Sequence, residues 1–442
     1  MSVSPARQAA FSILMRVELG SAYAVELLHA GLLDPLSPVD RNLATEIVMG
    51  VLRWRSALDH VIARFSFSPL RKLDLEVLTA LRIGAYQKQF LSKIPSHAAV
   101  NETVELVKQA KKTSAAPLVN AVMRKIGRTG SQLPSPVSMN SSYLSGAYAH
   151  PSWLVERWVG FWSYDTAQKI CAYDQQVPPS ILRVKDANEE ATLIHQGVHL
   201  VPGTLMKSAR AIASGEITAT EAFRRGQVAI QDEGSQLVAA LVGEGKRILD
   251  CCAAPGGKTA ALASWLPQAE IFAAELHPHR ARLLRRLAPQ ENVHVVTADA
   301  LALPFAEAGF DRVLADVPCS GTGTLARNPE IKWRLKPEDL HDLQSRQTAI
   351  LHAAMRHVSP GGRLVYSTCS LEPEENEHVV TACLDDSPKF RVLPIKEELE
   401  RLRRSGDLVW QEIDNLVSGD FLRTIPGVHP CDGFFAAILQ KD

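Results

Sequence analysis

Two cysteines fifty positions apart carry the strongest chemical signal in this chain. Cys319 lies in Asp316-Val317-Pro318-Cys319-Ser320-Gly321, and Cys369 in Ser367-Thr368-Cys369-Ser370. Free cysteines are usually buried and behave as small hydrophobes. These two instead follow predicted strands and sit among small polar residues, where loops carry function. A thiolate can activate an unreactive ring carbon: addition at C6 of a cytosine makes C5 nucleophilic enough to accept an electrophilic methyl group, and elimination then restores the ring. An acid that hydrogen-bonds the base at N3 or N4 favours such an adduct, and Asp316 is placed for that task. The attacking thiol must be deprotonated. Spacing alone leaves open which cysteine attacks.

A second signal is the run Cys252-Ala253-Ala254-Pro255-Gly256-Gly257-Lys258, which follows an apolar strand and precedes a predicted helix. Small residues and paired glycines let a ligand approach backbone amides at a helix N-terminus. A phosphate-binding loop would need glycine where Cys252 stands, and the dinucleotide fingerprint G-x-G-x-x-G is also absent. Glu275 ends the next predicted strand, where nucleotide-binding sheets place an acid on ribose hydroxyls. Asp299 ends the one after it and could hold an adenine amine. Together they favour an adenosine-type ligand.

These groups need a scaffold that brings them to one edge. After Lys246, strands predicted at 247–250, 270–275, 292–297, 312–316 and 363–367 alternate with helices at 259–265, 279–287, 340–357 and 374–384. A last strand is expected at 434–439. Such alternation predicts an α/β, doubly wound, mostly parallel sheet, whose ligands bind outside the carboxyl ends of the strands. Residues 4–127 read as successive helices: Val100, Val104 and Val107 share a face behind Ser96, an expected N-cap, and Leu75, Leu78 and Ala85 trace another. The Ser/Pro/Gly-rich stretch 129–145 reads as a linker. Residues 146–245 read as a small α+β connector, with a strand at 180–184 and a helix from Ser235.

The 442 residues carry no net charge, yet the first 130 hold 17 Lys+Arg against 10 Asp+Glu and the remainder 31 against 38. A basic module that docks a polyanion ahead of a catalytic body is compatible with that split. Seven cysteines with no C-x-x-C pair and no Cys/His cluster argue for free thiols in a reducing cytoplasm and against a metal centre. No apolar run reaches the roughly 18 residues of a membrane span, so no membrane partner is expected. Nothing signals oligomerisation, so a monomer is expected.

Five motifs, in order, resemble the NOL/NOP/Sun group of RNA cytosine-5 methyltransferases: D-C-C-A-A-P-G-G-K-T from Asp250, D-V-P-C-S-G from Asp316, R-N-P-E-I-K-W from Arg327, S-T-C-S-L-E-P-E-E-N-E from Ser367 and Asp432-Gly433-Phe434-Phe435. The resemblance implies S-adenosyl-L-methionine as cofactor, held by residues 252–258, Glu275, Asp299 and Asp316. It implies Cys369 as nucleophile, Cys319 as the cysteine that assists release, and Asp316 near the base. Glu275 stands where Asp is common, and Asn328 where a basic residue or His is frequent. The N-terminal helices resemble the NusB domain through Asp40-Arg41, Gly50-Val51-Leu52-Arg53, Leu81 to Tyr86, Asn101-Glu102 and Val119 to Val122. That pairing is similar to the bacterial Sun/Fmu branch, which implies 16S ribosomal RNA as substrate. The expected architecture is thus an all-helical, RNA-binding NusB-like domain (1–130), the connector (146–245) and a Rossmann-like class I methyltransferase domain (246–442).

Overall fold

A computed structural model describes residues 3–20, 22–29, 31–127 and 140–442. The chain forms two compact units, one of residues 1–177 with 325–334, the other of residues 178–324 with 335–442. The division falls inside the segment expected as a connector. Most of the expected linker lies outside the described residues, but its end is helical: Asn140 caps the helix Ser141–Ala147 by accepting from the Tyr143 amide.

The first unit is helical. Pro5–Glu18, Ala24–His29, Pro38–Arg53, Arg55–Phe65, Leu75–Phe90, Ser96–Gln109 and Ala116–Lys125 are followed by Ser141–Ala147, Ser152–Phe161 and Tyr164–Asp174. Leu75–Phe90 is buried on nearly every side, with Val77, Leu81, Ala85 and Tyr86 in the core and Leu75 and Leu78 only half-buried. Its interior guanidinium, Arg82, is tied to Asp59 at 2.7 Å and Glu18 at 2.9 Å, as burial of a charge requires. Ser96 is the first helical residue rather than the N-cap; Pro95 takes that place, and no side chain caps the amides.

Residues Leu325–Arg334 pack as part of this helical unit. Glu330 accepts from the Ala24 amide at 2.6 Å, Trp333 donates to the Leu52 carbonyl at 2.6 Å, and Arg334 donates to the carbonyls of Val17 and Ala22. Lys332, 1% exposed, donates to the Arg53 carbonyl at 3.1 Å. Burial pushes its amine down to about 7, although Asp174 and Cys171 nearby favour the charge.

The unfolded chain therefore binds more protons than the folded one between pH 7 and the ordinary lysine range. The destabilisation is full below pH 7 and is relieved as pH rises. Replacing Lys332 by Met removes that destabilisation, so the stability of the variant relative to the parent is expected to be greatest near pH 6.5. The advantage should shrink by about 1.4 kcal/mol per pH unit toward pH 9.5. Denaturant melts of both proteins at pH 6.5, 8 and 9.5 read this; a gap that does not change with pH refutes it.

The second unit holds two sheets. β1 (Ile181–Arg183), β2 (His199–Pro202), β3 (Ala209–Ser214) and β4 (Ala229–Ile230) form an antiparallel sheet in the order β2-β3-β1-β4. The larger sheet contains β5 (Arg247–Asp250), β6 (Glu270–Glu275), β7 (Val293–Thr297), β8 (Phe310–Asp316) and β9 (Val358–Thr368). It also contains β10 (Phe390–Leu393), β11 (Val417–Ser418), β12 (Phe421–Thr424) and β13 (Phe434–Lys441). Its order is β11-β12-β13-β9-β8-β5-β6-β7, with β10 on β13.

The block β7-β6-β5-β8-β9 is parallel, and β10 to β13 extend it in antiparallel fashion. The sheet is therefore mixed, with more antiparallel strand than the alternation predicted. Its central strands read as near-continuous apolar runs because helices cover both faces: Gly257–Trp265 and Glu233–Leu241 pack into one core, Asp339–His357 and Glu377–Asp385 into the other.

Candidate active site

The carboxyl ends of β5, β8 and β9 bring the predicted residues to one edge. β8 and β9 run in parallel register with Asp316 opposite Ser367, so the loops that follow leave the sheet side by side. The sulfurs of Cys319 and Cys369 lie 3.2 Å apart, and the Cys369 amide donates to the Cys319 sulfur at 3.3 Å. The Cys319 thiol is held well above its ordinary range by its hydrogen bond to Cys369, by burial, and by the charges of Cys369 and Glu375.

Asp316 links three elements. One carboxylate oxygen accepts from Lys258 Nζ at 2.8 Å and the other from Ser367 Oγ at 2.7 Å. Burial works against the Lys258 ammonium, yet Asp316 holds its pKa above the usual value, with Cys369 and Asp250 adding to the effect. The same amine lies 5.1 Å from the centre of the Phe434 ring, a cation–π arrangement.

The loop after β5 is built on the backbone. The Cys251 and Ala253 amides donate to the carbonyls of Leu314 and Ala274, which fixes the loop between β8 and β6, and the Ala254–Pro255 bond is cis. Gly256 adopts φ +117°, a conformation that requires glycine, and a Cβ there would also have to displace the Leu284 side chain, met at 2.7 Å. The helix Gly257–Trp265 starts with no side chain on its first amides. Asp250 is buried, accepts from Thr259 Oγ1 at 2.7 Å and is pushed up to about 7 by burial. Burial also raises the Cys252 thiol.

Glu275 is buried at the end of β6, where it accepts from the His277 amide at 2.9 Å. Asp299 is exposed beyond β7 and accepts from the Leu301 amide at 3.0 Å. Among the predicted residues, Asp316, Lys258, Cys319 and Cys369 form one connected cluster, whereas Glu275 and Asp299 stand at neighbouring strand ends.

The family described as "16S rRNA methyltransferase RsmB/F" matches residues 239–440, and the NusB family matches residues 4–128. The protein of Bacillus subtilis (strain 168) named "Probable ribosomal RNA small subunit methyltransferase B" is 33% identical over the full length of both chains. The Erwinia tasmaniensis protein named "Ribosomal RNA small subunit methyltransferase B" is 34% identical over 91% of each chain. The chain belongs to the ribosomal RNA small subunit methyltransferase B family. A solved structure of a methyltransferase homolog protein from Pyrococcus horikoshii, 27% identical, matches 70% of this chain and 100% of that one with TM-score 0.55.

Several groups in this methyltransferase were not found from its sequence. Glu375, wholly buried, accepts from the Ser320 amide at 2.7 Å and Gln347 Nε2 at 2.8 Å. It also accepts from the hydroxyls of both Ser320 and Ser370. Gln231 places a buried Oε1 without a partner beside Gly257, where a Cβ would come within 3.7 Å of its amide carbon. The Asp-Gly-Phe-Phe motif supports the cysteine loops. The Gly433 amide donates to the Gly323 carbonyl at 2.7 Å, and a Cβ on Gly323 would strike the Gly433 carbonyl at 2.3 Å. The Gly323 amide in turn donates to the Cys369 carbonyl. The repeated Cys-Ser pair was the one available signal; nothing local separates Glu375 from its acidic neighbours.

Proposed function

We propose that this chain transfers a methyl group to C5 of a cytosine in small-subunit (16S) ribosomal RNA, through a covalent bond between Cys369 and C6 of the base. The observation that carries the reading is the pair of sulfurs 3.2 Å apart beside the Lys258–Asp316 ion pair. The site fits S-adenosyl-L-methionine: the amides after Gly256 are uncapped, Gln231 offers an unpartnered buried acceptor, and Glu275 stands at the adjoining strand end. Residues 252–258 with Glu275, Asp299 and Asp316 would hold that cofactor, which supplies an electrophilic methyl group when bound.

The Cys369 thiolate adds to C6 and pushes electron density onto C5, the carbon to be methylated. Asp316, kept in place by Lys258 and Ser367, accepts a hydrogen bond from the cytosine amine. After methylation a base removes the C5 proton, the C6–S bond breaks and the ring double bond re-forms. Cys319, in contact with Cys369, assists that release.

A flipped or unpaired base is needed to reach this chemistry. The N-terminal helices suit RNA docking: Phe67 is 80% exposed with Lys125 Nζ 4.6 Å from its ring centre, and Arg64, Arg71 and Lys72 are exposed on the same loop or its flank. The names of the relatives favour ribosomal RNA over tRNA, and such work belongs in the cytoplasm.

Incubating the protein with 16S ribosomal RNA or tRNA and methyl-labelled cofactor, followed by bisulfite sequencing, tests the assignment. The expected outcome is one protected cytosine in 16S RNA and none in tRNA. Label recovered on another atom or another RNA overturns it.

A further inference from the structure

The two cysteine loops are joined by one carboxylate. Glu375 Oε1 accepts from the Ser320 amide and from Gln347, which also donates to the Pro318 carbonyl at 3.0 Å. Glu375 Oε2 accepts hydrogen bonds from the hydroxyls of Ser320 and Ser370, whose oxygens are 3.0 Å apart. Ser320 follows Cys319 and Ser370 follows Cys369, so each sulfur is one residue from the same anion. Asn376 braces the Cys369 loop alone, donating to the Ser370 carbonyl at 2.9 Å and accepting from Thr368.

A buried carboxylate with four donors is a well-solvated anion inside protein, and removing its charge alters every group it faces. The charges around the sulfurs are arranged unevenly. Glu375 acts on Cys319, whereas the ammonium of Lys258 interacts with Cys369. Tyr366 also faces Cys319, and its hydroxyl donates to the Glu375 carbonyl at 2.6 Å. Asp316 is paired with Lys258, and buried Asp250 also acts on that amine.

We infer that Glu375 is a positioning residue that locks the two cysteine loops together and, with Lys258 acting on Cys369 rather than Cys319, selects Cys369 as the attacking sulfur. An anion beside Cys319 keeps the shared proton on that sulfur, which leaves Cys369 as the nucleophile. The inference rests on the proposed covalent chemistry and explains why two adjacent thiols take different roles.

The test compares the full-length protein with Glu375→Gln, which keeps the shape and removes the charge. Alkylation by iodoacetamide, mapped by mass spectrometry for each cysteine between pH 6 and 10, is read without RNA. In the parent protein Cys369 is expected to react first. In Glu375→Gln the Cys319 midpoint is expected to fall by about one pH unit, which raises its reactivity at fixed pH about tenfold. An unchanged preference for Cys369 overturns the inference.

Should Glu375→Gln fail to fold, Ser370→Ala loosens one loop and leaves the anion. It is expected to lower kcat about tenfold, with the Cys369 preference kept and KM for RNA little changed; an unaltered kcat counts against the lock. A 5-fluorocytidine-containing RNA separates the two readings. If the parent protein traps no adduct at either cysteine, the proposed reaction fails. If it traps one on Cys369 while alkylation is indifferent to Glu375, only the assignment of Glu375 fails.

Discussion

Cys369→Ala is expected to lower methyl transfer to RNA by at least about a thousandfold, to the limit of detection, while cofactor affinity changes little. The reason is chemical: with no sulfur to add at C6, cytosine C5 stays too electron-poor to be alkylated, and the surrounding clamp cannot compensate. The substitution removes one half-buried sulfur whose amide and carbonyl remain engaged with Cys319 and Gly323, so the loop should keep its path. Filter-bound label from methyl-labelled cofactor measures the loss, and calorimetry of cofactor binding shows that the fold is intact. An active Cys369→Ala protein would transfer the nucleophile's role to Cys319.

Cys319→Ala should behave in the opposite sense. Attack and methylation proceed, but release is slowed, so a covalent protein–RNA species accumulates that survives denaturing electrophoresis. With about a hundredfold slower release, most of the enzyme should be trapped within a few minutes of mixing with RNA and cofactor. The doubly substituted protein should form none. A dead Cys319→Ala protein with no retarded band would mean that the two sulfurs exchange roles, which would also reverse the polarity assigned to Glu375 and Lys258.

Much of the catalytic scaffold was legible because β5, β6 and β8 are short, largely apolar runs ended by Asp or Glu. The predicted strands at 247–250 and 270–275 coincide with β5 and β6, and the cysteine pair meets as a parallel sheet edge requires. Other parts left no local trace. β11 and β4 are two residues long and only partly buried, below the length at which alternation can be read. Pro95 supplants Ser96 as N-cap because its fixed φ already suits the turn into the helix.

Asp316 meets Lys258 across 58 positions and Glu375 meets Ser320 across 55, partnerships that only the sheet creates. The four acids of Glu372-Pro373-Glu374-Glu375-Asn376-Glu377 look alike in sequence, yet Glu372 and Glu375 are wholly buried and the other two are not. Burial sorts them, and for Glu375 the helix Asp339–His357 supplies Gln347 as a donor.

The passage of residues 325–334 into the helical unit bears on how this enzyme can be dissected. A gene fragment starting at residue 178 would still encode those ten residues but none of the helices that cover them. Lys332, Glu330 and Trp333 would meet water without the carbonyls and amide that now satisfy them, and the exposed tryptophan would invite aggregation. Preparations of the catalytic half alone should therefore replace that decapeptide with a short polar bridge or supply the N-terminal helices as a separate polypeptide.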